Sequence, residues 1–127
     1  GEAFVICYCD LDHLKYINDS HGHAEGDIYI CSFVECAQQF IREEDIFARL
    51  GGDEFCIIFR NCYQDVIEQR MSEIRQAFSQ GYSRYSKSFS YGLVQVPEGH
   101  GALSLNELME QADALMYQQK KARRNAR

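Results

Sequence analysis

Proline occurs once and tryptophan not at all in this chain of 127 residues, so proline-rich linkers and collagen-like repeats are excluded. No apolar run approaches the roughly 20 residues that cross a bilayer. No basic-then-apolar leader opens the sequence either, which reads as a cytoplasmic domain whose parent protein is free to be membrane-anchored. There are six cysteines (Cys7, Cys9, Cys31, Cys36, Cys56, Cys62) but no C-x-x-C pair. Cys7, Cys31, Cys36 and Cys56 stand inside apolar runs and read as buried small hydrophobes in a reducing compartment, not as bridges or zinc ligands. Both standard phosphate loops, G-x-G-x-x-G and G-x-x-x-x-G-K-[ST], are missing. Positive charge is in deficit at a net −6, which argues against a nucleic-acid polymer as partner.

What is present is a single domain with a real core, 46% hydrophobic and 25% charged. "AFVICYC" (3–9) is a continuous apolar run, the pattern of a strand covered on both faces. "LDHLKYINDSHGH" reads as a short helix entering a Gly-containing turn. From Asp27, the residues Ile30, Phe33, Val34, Ala37, Phe40 and Ile41 recur on one helical face, predicting a helix that ends near Arg42. A hairpin follows, with strands near 45–50 and 55–60, then a helical stripe of Ile67, Met71, Ile74 and Phe78. "SFSYGLVQV" (88–96) is strand-like, 97–101 is a loop, and Leu105, Leu108, Met109, Ala112, Leu115 and Met116 predict a last amphipathic helix. The order predicts an α/β sandwich, and the hairpin requires at least one antiparallel strand pair.

Acidic residues gather at predicted strand ends: Asp10 and Asp12 after the first run, Asp53 and Glu54 in the hairpin turn. Carboxylates on neighbouring strand tips are the hard oxygen ligands Mg²⁺ prefers, with substrate phosphates completing its shell. Gly51 and Gly52 lack side chains, so a triphosphate can approach the backbone there. The plainer reading is that turns select Asp and Gly for conformational reasons alone. The last eight residues, "KKARRNAR", hold five positive charges and no acid; taken alone, such a run is a solvated helix tail.

"RLGGDEF" (49–55) resembles the signature of the GGDEF family of diguanylate cyclases, which condense two GTP into cyclic di-GMP. "DLDHLKYINDSHGHAEGD" (10–27) is similar to that family's D-x-D-x-F-K-x-x-N-D-x-x-G-H-x-x-G-D segment, and "ADALMYQQKKARRN" (112–125) to its terminal helix. The resemblance implies one catalytic domain over 1–127 with a ferredoxin-like, nucleotidyl-cyclase-type sandwich. It implies a mainly antiparallel central sheet with surrounding helices. The helix and D-x-L-T-x-L-x-N-R segment that usually precede the first strand in the family are not in this sequence.

The resemblance places Asp10 and Asp53 as ligands of two Mg²⁺ (or Mn²⁺), assisted by the Leu11 carbonyl. Glu54 is then either a further ligand or the acid that helps deprotonate the attacking hydroxyl. Asn18 and Asp27 match the guanine-reading pair. A carboxylate accepts from guanine N1–H and N2–H but meets a lone pair on adenine, a mismatch worth up to about 10⁴-fold. Without the resemblance, Asn18 is a helix-end residue and Asp27 an N-cap. Lys120 and Arg124, at i and i+4, match the phosphate-binding pair; Lys15, His23, Gly51 and Gly52 join the substrate-phosphate set. Lys121, Arg123 and Arg127 lack a match and read as solvated, with Arg123 replacing a family glycine. His13 stands where histidine or an aromatic is common, Leu14 where Phe is usual, and His21 and His23 read as packing or hydrogen-bonding residues.

Arg42 and Asp45 in "REED" (42–45) lie at the family's offset for an R-x-x-D inhibitory site that binds the cyclic di-GMP product. Without the resemblance they are a surface ion pair at a helix end. A further arginine often completes that site; ungapped counting puts Glu73 there, with Arg70 and Arg75 nearby. Partners implied are GTP, cyclic di-GMP, a homodimer during catalysis, and a sensor or receiver domain. The rival from another class is a non-catalytic cyclic di-GMP or GTP-binding regulatory module, which would bind nucleotide without releasing pyrophosphate.

Overall fold

The computed structural model describes residues 2–81, 83–101 and 104–125, with side chains through Arg124, so Arg127 of the basic tail lies outside the described residues. The elements are β1 (Phe4–Leu11), α1 (Leu14–His21), α2 (His23–Gln38), β2 (Ile46–Gly51), β3 (Glu54–Arg60), α3 (Gln64–Ser79), β4 (Phe89–Val96) and α4 (Leu105–Asn125). The sheet runs β2-β3-β1-β4 with every neighbouring pair antiparallel. β1 and β2 are thus parallel with β3 between them, the split βαβ arrangement of ferredoxin-like sandwiches.

β1 is apolar throughout because both its faces are covered. Val5, Cys7, Cys9 and Leu11 pack with Ile17, Tyr29, Phe33, Met71 and Phe78 from α1, α2 and α3. Ile6 turns the other way, toward Cys56, Val94, Val96 and Ala112 of α4. α4 lies backbone-close on β4 at Gly92, where a Cβ would sit 2.2 Å from the Ala112 carbonyl and 2.5 Å from the Met116 nitrogen. That approach carries the far end of α4, with Lys120, to the tip of β1.

Several details depart from the sequence expectation. α2 starts at His23 and stops at Gln38, not at Asp27 and Arg42. Gly22, at φ 92°, breaks the chain between α1 and α2, so Asp27 is inside the helix and no N-cap. Phe40 and Ile41 reach the core from the turn after the helix. Cys31 is exposed on the solvent side of α2, and Cys36 is half-buried at the edge of the core, its thiol facing the Ile74 carbonyl of α3. Leu105 and Leu115 are exposed as well, although α4 covers β4 and β1. No helix among the described residues is long and apolar enough to cross a membrane.

Candidate active site

The pairing of β1 with β3 sets Asp10 opposite Glu54, and the Leu11 N–H donates to the Asp53 carbonyl at 2.9 Å. The hairpin turns through Gly52 at φ 47°, a conformation that favours glycine. Arg49 pins that turn by donating twice to the Gly52 carbonyl, at 2.8 and 3.1 Å. A Cβ added at Gly51 or Gly52 would meet nothing within 4 Å, so the space above the turn is open.

Asp53 thereby comes close enough to Asp10 for its charge to act on the Asp10 carboxyl. The Asp10 side chain is 15% exposed, and its Oδ1 is buried without a hydrogen-bond partner. Burial raises the Asp10 carboxyl to about 7, the Lys120 charge opposes that rise, and Asp53 adds to it. Two carboxylates that crowd one another around an orphaned oxygen fit a hard divalent cation. Among the described residues no three His, Cys, Asp or Glu side chains form a closed cage. Two carboxylates and a backbone carbonyl instead leave positions for substrate oxygens, which suits Mg²⁺. Glu54 accepts from the Tyr8 hydroxyl at 3.0 Å.

Lys120 bridges this acidic tip to α4. Its Nζ donates to the Leu11 carbonyl at 3.1 Å and lies 3.3 Å from Asp10 Oδ2 and 3.6 Å from Asp12 Oδ1. Asp12 plays a different part from Asp10. Its buried carboxylate accepts from Ser88 Oγ at 2.8 Å and Ser90 Oγ at 2.9 Å, and it faces Arg123 at 3.5 Å. Tyr29 donates to the Asp12 carbonyl at 2.8 Å, fixing the same turn from below. His13 follows at φ 66°, a left-handed conformation uncommon for a side-chain-bearing residue. Asp12, His13, Lys120, Arg123 and Arg124 then line a cleft of about 180 Å³ beside the acids.

The profile of the family described as "Diguanylate cyclase, GGDEF domain" matches residues 1–126. The chain belongs to the GGDEF-domain family. It is 32% identical over 117 residues to the probable diguanylate cyclase DgcJ of Escherichia coli, covering 92% of this chain and 23% of that protein. It is 33% identical over 126 residues to the bifunctional diguanylate cyclase/cyclic di-GMP phosphodiesterase MucR of Pseudomonas aeruginosa, covering 96% of this chain and 18% of that one. The GGDEF domain of DgcB from Caulobacter crescentus, solved with cyclic di-GMP, superposes with a TM-score of 0.86 at 28% identity, covering 94% and 73% of the two chains. The chain thus spans about a fifth of the length of these two curated relatives.

Elsewhere in this GGDEF domain, Asn18 is half-buried on α1 and packs against Gly26, where a Cβ would lie 1.8 Å from Asn18 Oδ1. Asp27 is the next residue and is exposed. Lys15 and His23 are exposed, on α1 and at the start of α2. His21, not His23, is the packing histidine, against Tyr16 and Tyr85.

The R-x-x-D pair is no surface ion pair and no helix end. Asp45 is fully buried at its side chain and takes a two-pronged grip from Arg42, at 2.9 and 3.2 Å. The backbone N–H groups of Arg42 and Arg60 donate to it as well, at 3.0 and 3.1 Å. Arg70 stands 4.0 Å away, so of the arginines near Glu73 it is the one that reaches this pair. Arg75 instead stacks on Phe89 and Tyr91 and donates to the Phe89 carbonyl.

Arg123 is the clearest correction. It is not solvated: it donates to the Phe89 carbonyl at 3.3 Å and pairs with Asp12. Lys121 is exposed as expected. Asp12, Ser88 and Ser90 form a buried anchor that the sequence alone did not separate from the candidate metal-binding acids. The signal was a D-x-D running off the end of β1 and an S-x-S leading into β4, which the backbone bond from Asp12 N–H to the Ser88 carbonyl holds side by side.

Proposed function

We propose that this domain is a diguanylate cyclase that condenses two GTP into cyclic di-GMP with release of pyrophosphate. The observation that carries the reading is the meeting of Asp10 and Asp53 around a buried oxygen without a partner. Bound at these acids, two Mg²⁺ (or Mn²⁺) would supply the charge that activates a 3′-hydroxyl and stabilises the α-phosphate in an in-line displacement.

The chain's own groups do the rest. Asp10, Asp53 and the Leu11 carbonyl hold the cations, while Glu54, oriented by Tyr8, is the further ligand or the proton acceptor. Lys120 and Arg124 take the β- and γ-phosphates beside the open Gly51–Gly52 turn. Asn18 and Asp27 read guanine. Because each 3′-hydroxyl must attack the other nucleotide's α-phosphate, turnover requires two protomers face to face. Arg42 and Asp45, with Arg70 as a third member, form the product site; Arg42 must exchange part of its grip on Asp45 for guanine. A sensor or receiver module in the same chain would govern the encounter.

The experiment is incubation of the domain, within its full-length chain, with GTP and Mg²⁺, followed by chromatography and mass measurement of the products. Cyclic di-GMP and pyrophosphate are expected, and Asp53→Ala should abolish both. GTP binding with no cyclic di-GMP would favour the regulatory-module reading instead.

A further inference from the structure

Lys120, Arg123 and Arg124 fall at i, i+3 and i+4 on α4, so all three side chains leave one helix face. They line the same cleft of about 180 Å³. Three like charges within a turn repel one another, and among the described residues the ion pairs that meet them are those of Lys120 with Asp10 and Asp12 and of Arg123 with Asp12. Asp12 accepts from two serine hydroxyls, one on each oxygen, and faces two cations, which makes it a fixed counter-charge. The cleft therefore keeps a surplus of positive charge.

Arg123 is held at its back by the Phe89 carbonyl and Asp12, and its side chain is still 32% exposed. A guanidinium has five donors, and one Nη1 bond plus one Nη2 ion pair leave others to face the cleft. A fork already fixed in place loses little freedom when it takes phosphate oxygens.

We propose that Arg123 is a third cation of the polyphosphate cleft and sets this domain's preference for nucleoside triphosphate over monophosphate. The inference rests on the nucleotide reading above and adds to it a residue that the sequence pattern assigns to solvent.

The test is calorimetric binding of 3′-deoxy-GTP and 3′-deoxy-GMP, which lack the attacking hydroxyl, to the Mg²⁺-supplemented protein. Arg123→Gln keeps a polar side chain and removes the charge; it should weaken triphosphate binding about tenfold and monophosphate binding less than about twofold. Arg123→Lys keeps the charge and should lose no more than about threefold. Lys121→Gln, on the exposed side of the helix, should bind both like the parent protein. Full triphosphate affinity in Arg123→Gln overturns the proposal, and so does an equal loss for both ligands, which would mark Arg123 as a structural tie alone. Binding is read without turnover, so failure to make cyclic di-GMP would remove the cyclase reading and leave this contrast standing.

Discussion

Replacing Asp10 by Asn should stabilise the metal-free fold while abolishing turnover. The Asp10 carboxyl rises from 3.8 to about 7 on folding, mainly through burial. Between those values the folded state holds a proton that the unfolded chain has released, so stability falls as pH climbs through the window and levels off above it. The displacement corresponds to about 4 kcal/mol at pH 8. Asparagine presents a neutral side chain of the same shape permanently. Urea unfolding in EDTA should show Asp10→Asn ahead of the parent by about 2–4 kcal/mol at pH 8, with the gap about 3 kcal/mol smaller at pH 5. Mg²⁺ should narrow the pH 8 gap by stabilising the parent alone. An Asn variant that is less stable at pH 8, or whose gap is constant from pH 5 to 8, would refute the argument that burying the Asp10 carboxylate costs the metal-free fold stability.

Other perturbations test the scaffold around the site. Gly92→Ala drives a methyl into the Ala112 carbonyl and Met116 nitrogen and should cost about 1–3 kcal/mol in denaturant unfolding, with lost activity as Lys120 is lifted away. Gly26→Ala meets only the flexible end of Asn18, so KM for GTP should rise several-fold while thermal stability stays near the parent's. Arg42→Ala leaves the buried Asp45 carboxylate to backbone donors and Arg70, costing about 2 kcal/mol at neutral pH and relieving product inhibition in a cyclic di-GMP titration. Burial pushes the Asp45 carboxyl up, but its bonds from the Arg42 side chain and the Arg42 and Arg60 N–H groups outweigh that and hold it below the usual range. The parent's contribution from this grip is present above the unfolded carboxyl value of 3.8 and is lost as pH falls through the lower folded one. The Arg42→Ala deficit should therefore shrink in acid.

The elements were legible from apolar periodicity because each strand or helix declares its own face locally. Asp10 and Asp53 were legible as acids on strand tips. Their convergence was not, since it depends on the register that sets Asp10 against Glu54 across two strands distant in sequence. The same long-range pairing separates Asp12 from Asp10: Asp12 lies just beyond β1, and Ser88 and Ser90, at the start of β4, hydrogen-bond to it and not to Asp10. Arg123 read as solvent-facing because its acceptor, the Phe89 carbonyl, is a backbone atom with no signature in the sequence. The early start of α2 follows from Gly22, which reads as a turn without saying where the helix resumes.

The seating of α4 on Gly92 concentrates the fragility of this domain at a position that carries no chemistry. A domain of this kind can keep every residue of its named motifs and still be disabled by one added methyl in β4. Letters in the named motifs are then a poor census of working enzymes, and an unadorned glycine on the fourth strand is worth inspecting before any inactive relative is explained by its catalytic residues.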